Sequence, residues 1–83
     1  MNTTLEVIDD IEINKLIIER IKGICDERKI SIYRLAKITG LSRSTLSWLL
    51  NGRYKNIKST TIVRICKGLN ISIAEFFNYK LFY

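Results

Sequence analysis

Apolar residues recur along this chain at three- and four-residue intervals, and polar caps and glycines interrupt them. Between residues 13 and 28 they fall at Ile13, Leu16, Ile17, Ile21, Ile24 and Cys25. That spacing marks one face of an amphipathic helix. Gly23 lies inside the stretch, where glycine costs about 1 kcal/mol against alanine, so close packing against it is expected. Lys29 and Ile30 form a connection. Ser31 is placed to cap a second helix, Ile32–Thr39, with Leu35 and Ala36 inward. Gly40 suits the left-handed turn that ends a helix. Leu41 follows as a buried plug, and Ser42 can cap a third helix, Arg43–Leu50, that buries Leu46 and Leu49. Asn51 and Gly52 stop it. A polar, basic loop follows over residues 53–58. A fourth helix opens at Ser59 or Thr60 and runs to about Leu69. It carries Ile62, Ile65, Cys66 and Leu69 on one face, and Gly68 and Asn70 mark its end. Ser72 caps a short fifth helix, Ile73–Phe77, with Glu75 at the third position of a capping box. No alternating strand pattern occurs outside the two termini. The expected fold is all-α: five short helices joined by tight turns.

Length adds that this is one domain, since the chain has 83 residues, 47% of them hydrophobic. We divide it into an acidic N-terminal arm (1–12), a helical domain (13–77) and an aromatic tail (78–83). Charge changes the picture more. The formal net is +6, yet residues 1–12 hold Glu6, Asp9, Asp10 and Glu12 and no base. Residues 28–58 hold eight bases (Arg28, Lys29, Arg34, Lys37, Arg43, Arg53, Lys55, Lys58) and no acid. A basic block inside a folded domain points to a polyanionic partner, nucleic acid first and anionic membrane second.

Residues 31–52, SIYRLAKITGLSRSTLSWLLNG, read helix, glycine turn, helix, with three residues between the periodic stretches. Two short helices joined this tightly cross at a steep angle, one bracing the other. The outward side of the second carries Arg43, Ser44, Ser47 and Trp48, with Thr45 near its N-terminal edge. Such side chains can reach base edges in a major groove about 12 Å wide. From about Ile17 to Phe77 the chain resembles the Cro/phage-repressor-like (XRE-type) helix-turn-helix family. The matching stretches are IIERIKGICDERKIS, LAKITGLSRSTLSWLLNGR and TTIVRICKGLNISIAEFF.

The resemblance implies a lambda-repressor-like domain that binds double-stranded DNA, with the third helix in the major groove. Carried over, it puts Arg43, Ser44 and Thr45 at bases, with Ser47 and Trp48 one turn on. Asn51, Arg53 and Lys55 fall where family members hold phosphates, and the start of the fourth helix can offer backbone N–H groups. Lys58, Arg34 and Lys37 are further phosphate candidates. Two departures stand out. Family members often carry Gln where this chain has Ile32, and often Pro in the loop that here reads Asn56, Ile57, Lys58.

Each residue also has a plainer reading. Arg43 can contact guanine O6 and N7 or only a phosphate. Ser44 and Ser47 can be ordinary helix surface, and Thr45 can serve the Ser42 cap. Trp48 can meet a thymine methyl or pack against the second helix. Tyr54 can bond a phosphate or pack in its loop. Phe77, Tyr79, Leu81, Phe82 and Tyr83 are candidates for a homodimer interface, the alternative being a tail folded over the core.

These features and the resemblance predict a cytoplasmic regulator, a repressor bound as a dimer to a palindromic site. The rival is a protein-binding module, antitoxin-like or anti-repressor, on the same fold. Catalysis finds no obvious residues, with no His and no Gly-rich phosphate loop. Two isolated cysteines, Cys25 and Cys66, do not make a zinc site and read as buried thiols. No cofactor, metal or small-molecule ligand is expected. No apolar run approaches the roughly 18 residues of a membrane span.

Overall fold

The computed structural model describes residues 9–53 and 56–82, apart from the side chains of Asp10 and Leu81. Five α-helices follow one another: α1 (Asp10–Arg28), α2 (Ile32–Thr39), α3 (Arg43–Leu50), α4 (Ser59–Leu69) and α5 (Ile73–Phe77). A 3-10 turn, Lys80–Phe82, ends the described chain. No strand occurs among the described residues, and none of their helices is long and apolar enough to cross a membrane.

Caps set most boundaries as the sequence predicts. Ser31, Ser42 and Ser72 each accept a hydrogen bond from the backbone N–H three residues on, satisfying a donor the helix itself leaves open. The start of α1 differs. It begins at Asp10, three residues before the expected start, because Asp9 accepts from Glu12 N at 2.9 Å. The acids Asp10 and Glu12 then sit in the first turn, where the positive end of the helix dipole favours them. This turn is poorly covered: Ile13 remains 43% exposed although it lies on the apolar period. Ile18, which that period had passed over, is buried instead.

Three helices end in the same device. Lys29 (φ 56°), Gly52 (φ 74°) and Asn70 (φ 60°) take the left-handed conformation. The following N–H in each case, Ile30, Arg53 or Ile71, returns to a carbonyl in the last turn. The turn between α2 and α3 is held differently. Thr39 is buried; its hydroxyl donates to Leu35 O at 2.7 Å and accepts from Leu41 N at 3.2 Å. Gly40, at φ 77°, lets the chain swing away.

The core gathers Ile17, Ile21 and Ile24 of α1, Leu35 of α2, Leu46 and Leu49 of α3, Ile65 and Leu69 of α4, and Phe76 of α5. The expectation that Gly23 is closely packed is overturned: it is exposed, and a Cβ there would meet nothing within 4 Å. Gly68 is the close-approach glycine. A Cβ on it would lie 2.6 Å from Ile38 O and 2.9 Å from Thr39 Cγ2, so α4 crosses directly over the end of α2.

Arg20 ties the C-terminal end to α1. Its Nε donates to Phe76 O at 2.8 Å, Nη2 donates to Glu75 O at 3.0 Å, and the guanidinium lies 4.3 Å from the Tyr79 ring centroid. Phe82 folds back on Phe77 and Phe76, with ring centroids 5.1 and 6.3 Å away.

Cys25 and Cys66 are free and buried. Burial is the main cause that pushes both thiols above the ordinary value of 9.0; Asp26 adds to the rise at Cys25, while Arg28 there and Arg20 at Cys66 oppose it. Both are therefore neutral and unreactive at pH 7. As pH rises past the ordinary thiol range, the unfolded chain releases protons that the folded chain retains, so stability falls. A thiol reagent at pH 7 should label neither cysteine in the native protein and both in denaturant. Fast native labelling would contradict this burial.

Candidate nucleic-acid interface

The geometry starts from the α2–α3 unit. Leu35 on one helix and Leu46 and Leu49 on the other point into the core. That fixes the opposite side of α3 outward. Ser42 holds the first turn in two ways: its hydroxyl accepts from Thr45 N at 3.0 Å and donates to Thr45 Oγ1 at 2.8 Å. Ser42→Ala should lower folding stability by about 1 kcal/mol and loosen the turn that carries Arg43. Urea denaturation measures the change, and no shift in midpoint would contradict it.

Arg43, Ser44, Ser47 and Trp48 line one shallow groove on this outward face, together with Ile32 of α2. Four of the five expected base-facing residues are thus brought together. Thr45 is not among them; it is half-buried and its hydroxyl serves the cap. Among the described residues, no acidic side chain lines the groove.

Aromatic rings order the cations around it. Tyr33, 54% exposed, has Arg43 Cζ 5.7 Å and Lys37 Nζ 5.5 Å from its ring centroid. Trp48, 53% exposed, has Arg53 Cζ 5.9 Å from its ring centroid. The turn at Gly52 makes the second contact possible: Arg53 N donates to Trp48 O at 3.0 Å, folding the chain back along α3. Such contacts are worth about 0.5–1 kcal/mol at exposed sites. They suffice to bias the position of a long side chain.

Asn51 is exposed at the end of α3, and its Nδ2 donates to Ser47 Oγ at 3.4 Å. Lys58 is exposed and immediately precedes α4, whose N-terminus has no side-chain cap. Thr61 N bonds back to Lys58 O at 3.0 Å, but the N–H groups of Ser59 and Thr60 have no carbonyl of the helix ahead of them, so this end is open to an anion. Arg34 stands apart. It lines a different cleft with Arg28, Lys29, Ile38 and Asn70. Lys55, Tyr54, Tyr83 and the Leu81 side chain lie outside the described residues.

Ile32 and Tyr33 are contributions the sequence reading did not assign. Their signal was present: both open a helix whose inward positions start only at Leu35. The candidate dimer residues divide. Phe77 and Phe82 are half-buried in the aromatic cluster, and Tyr79 stays 42% exposed beside Arg20.

The comparisons with known proteins agree with this geometry. The chain belongs to the family of Cro/C1-type HTH DNA-binding domains, whose profile matches residues 20–81. It is similar to the uncharacterized HTH-type transcriptional regulator YozG of Bacillus subtilis (strain 168), with 33% identity over 54 residues, 65% of this chain. The match spans 64% of that relative's length. No solved structure matches the chain.

Proposed function

We propose that this chain is a sequence-specific transcriptional regulator, a repressor that binds a palindromic operator in double-stranded DNA as a homodimer. One observation carries the reading: α3 offers Arg43, Ser44, Ser47 and Trp48 on a single groove that no acid lines among the described residues. Membership of a DNA-binding family and the name of the relative support it.

In this reading α3 enters the major groove. Arg43 takes guanine O6 and N7, and Ser44 and Ser47 bond base edges or the nearest phosphate. Thr45 acts through the Ser42 cap. Asn51, Arg53, Lys58 and the open start of α4 hold phosphates on one flank, and Lys37 on the other. Lys55 extends the first flank in sequence. Tyr79 and the outer edges of Phe77 and Phe82, continued by Leu81 and Tyr83, make the dimer contact. The protein works in the cytoplasm by occupying a promoter, without catalysis, cofactor or small ligand.

A second reading has one observation in its favour. Ile32, Tyr33 and Trp48 make the face more apolar than polar base readout alone requires, as a protein partner would want. Selection from a library of random duplexes separates the two. A DNA regulator should enrich a two-fold symmetric site with half-site centres about 34 Å apart, and sedimentation should find two protomers on it. Absence of any enriched site would move the protein-binding reading to first place.

A further inference from the structure

Ile32 is the residue the DNA-binding reading leaves without a task. It opens α2 yet is 39% exposed, beside the 53% exposed Trp48. Both line the groove that also holds Arg43, Ser44 and Ser47. Isoleucine at the start of a helix gains nothing from this exposure. Exposed apolar residues scattered singly need no partner, but two that share one groove beside a charged surface make a contiguous patch, and such patches mark contacts.

The chemistry around the pair limits the occupant. Arg43 and Arg53 border it, each near an exposed aromatic ring, and among the described residues no acid lines it. The partner must therefore be anionic along its margins and apolar at its centre. In the major groove one base-pair feature is apolar: the C5-methyl group of thymine.

We propose that Ile32 and Trp48 form an apolar slot that reads thymine methyl groups, next to the position read by Arg43. The specificity of the protein is then shared between two helices. Arg43 and the serines of α3 read hydrogen-bonding edges. Ile32 of α2, with Trp48 of α3, reads methyl groups. The preferred half-site is a guanine flanked by thymine, and Ile32 takes part in base readout from the bracing helix. This inference rests on the DNA-binding reading above.

The test substitutes deoxyuridine for thymine, one position at a time, in the duplex that the protein itself selects. The change removes the methyl group and leaves every hydrogen-bonding group in place. Binding of the full chain is measured for wild type, Ile32→Ala and Trp48→Ala. A buried methyl-sized group is worth about 0.8 kcal/mol, or about fourfold in affinity. The wild type should lose roughly that factor at one or two thymines in each half-site. Each variant should bind the thymine and uracil duplexes equally at one of those positions. The ratio is taken within each variant, so a change in folded fraction does not enter it.

Insensitivity of the wild type at every thymine of a tightly bound duplex would overturn the slot and leave the DNA-binding reading standing. Undiminished discrimination in both variants would overturn it too. Failure to select any duplex would remove the DNA-binding reading and the slot with it. Insensitivity to uracil, together with a change in self-association of the free protein on Ile32→Ala, would replace the methyl groups with a second copy of this chain.

Discussion

Gly68→Ala is expected to destabilise the fold by about 2 kcal/mol. The added Cβ would meet Ile38 O at 2.6 Å, Ile38 C at 2.9 Å and Thr39 Cγ2 at 2.9 Å. None of these is the free end of a flexible side chain. Ile38 contributes backbone, and Thr39 is pinned by its bond to Leu35 O. On its other faces α4 buries Ile65, Cys66 and Leu69, so it cannot retreat alone. Overpacking of this kind costs about 1–3 kcal/mol, and backbone contacts place it at the upper end. Alanine's better helix propensity offsets about 1 kcal/mol. In a domain this small the melting temperature should fall by roughly 10 °C. Gly23→Ala provides the opposite sign. With nothing near the new Cβ, it should gain about 0.5–1 kcal/mol from helix propensity. Thermal melts followed by circular dichroism read both. Equal or higher stability for Gly68→Ala would mean that α4 does not cross α2 as closely as described.

Arg43→Ala should reduce affinity for the selected duplex at least about 30-fold, because a dimer loses two contacts worth about 1–3 kcal/mol each. The loss should be concentrated at one base pair of each half-site, where the variant accepts other bases. The reason is position: Arg43 is the first residue of α3, lines the groove and rests near the Tyr33 ring. Lys58→Ala makes a useful contrast. Lys58 is exposed just before α4, outside the groove that holds Arg43, so its loss should weaken binding evenly across sequences. A dimer loses this contact in both half-sites, so the slope of log K against log salt should become shallower by about 2. Competition titrations with single-base-pair variants of the duplex measure both. Sequence-independent loss on Arg43→Ala would reassign that residue to a phosphate.

The helices of this fold are largely legible in the sequence, because their signals are local. Ser31, Ser42 and Ser72 cap where a short hydroxyl must, and the two short helices of the central unit keep their predicted bounds. What was hidden depends on other elements. Gly23 and Gly68 look alike in sequence; only the crossing of α4 over α2 decides which one needs to lack a Cβ. Asp9 is a good cap, but the acids around it read equally well as a separate arm. Ile18 is buried because neighbouring helices wrap further round α1 than a single stripe predicts.

The candidate interface divides in the same way. Arg43, Ser44, Ser47 and Trp48 were legible because helical periodicity fixes the side opposite Leu46 and Leu49. Thr45 was counted among them, and its hydroxyl is engaged in the cap. Arg34 was grouped with Lys37 on α2, but it lines the cleft with Arg28, Lys29 and Asn70, while Lys37 lies near the Tyr33 ring. Ile32 and Tyr33 were passed over because base readout was sought among polar side chains, although the inward positions of α2 start only at Leu35.

The most direct test of the central claim is the affinity of the purified protein for its selected duplex against a scrambled one, across several salt concentrations. With about four phosphates held per half-site, a dimer should show a slope of log K against log salt near −7. The selected duplex should bind at least about a thousandfold more tightly than the scrambled one. Equal, weak binding to both duplexes would contradict sequence-specific regulation and leave a basic surface whose partner is not DNA.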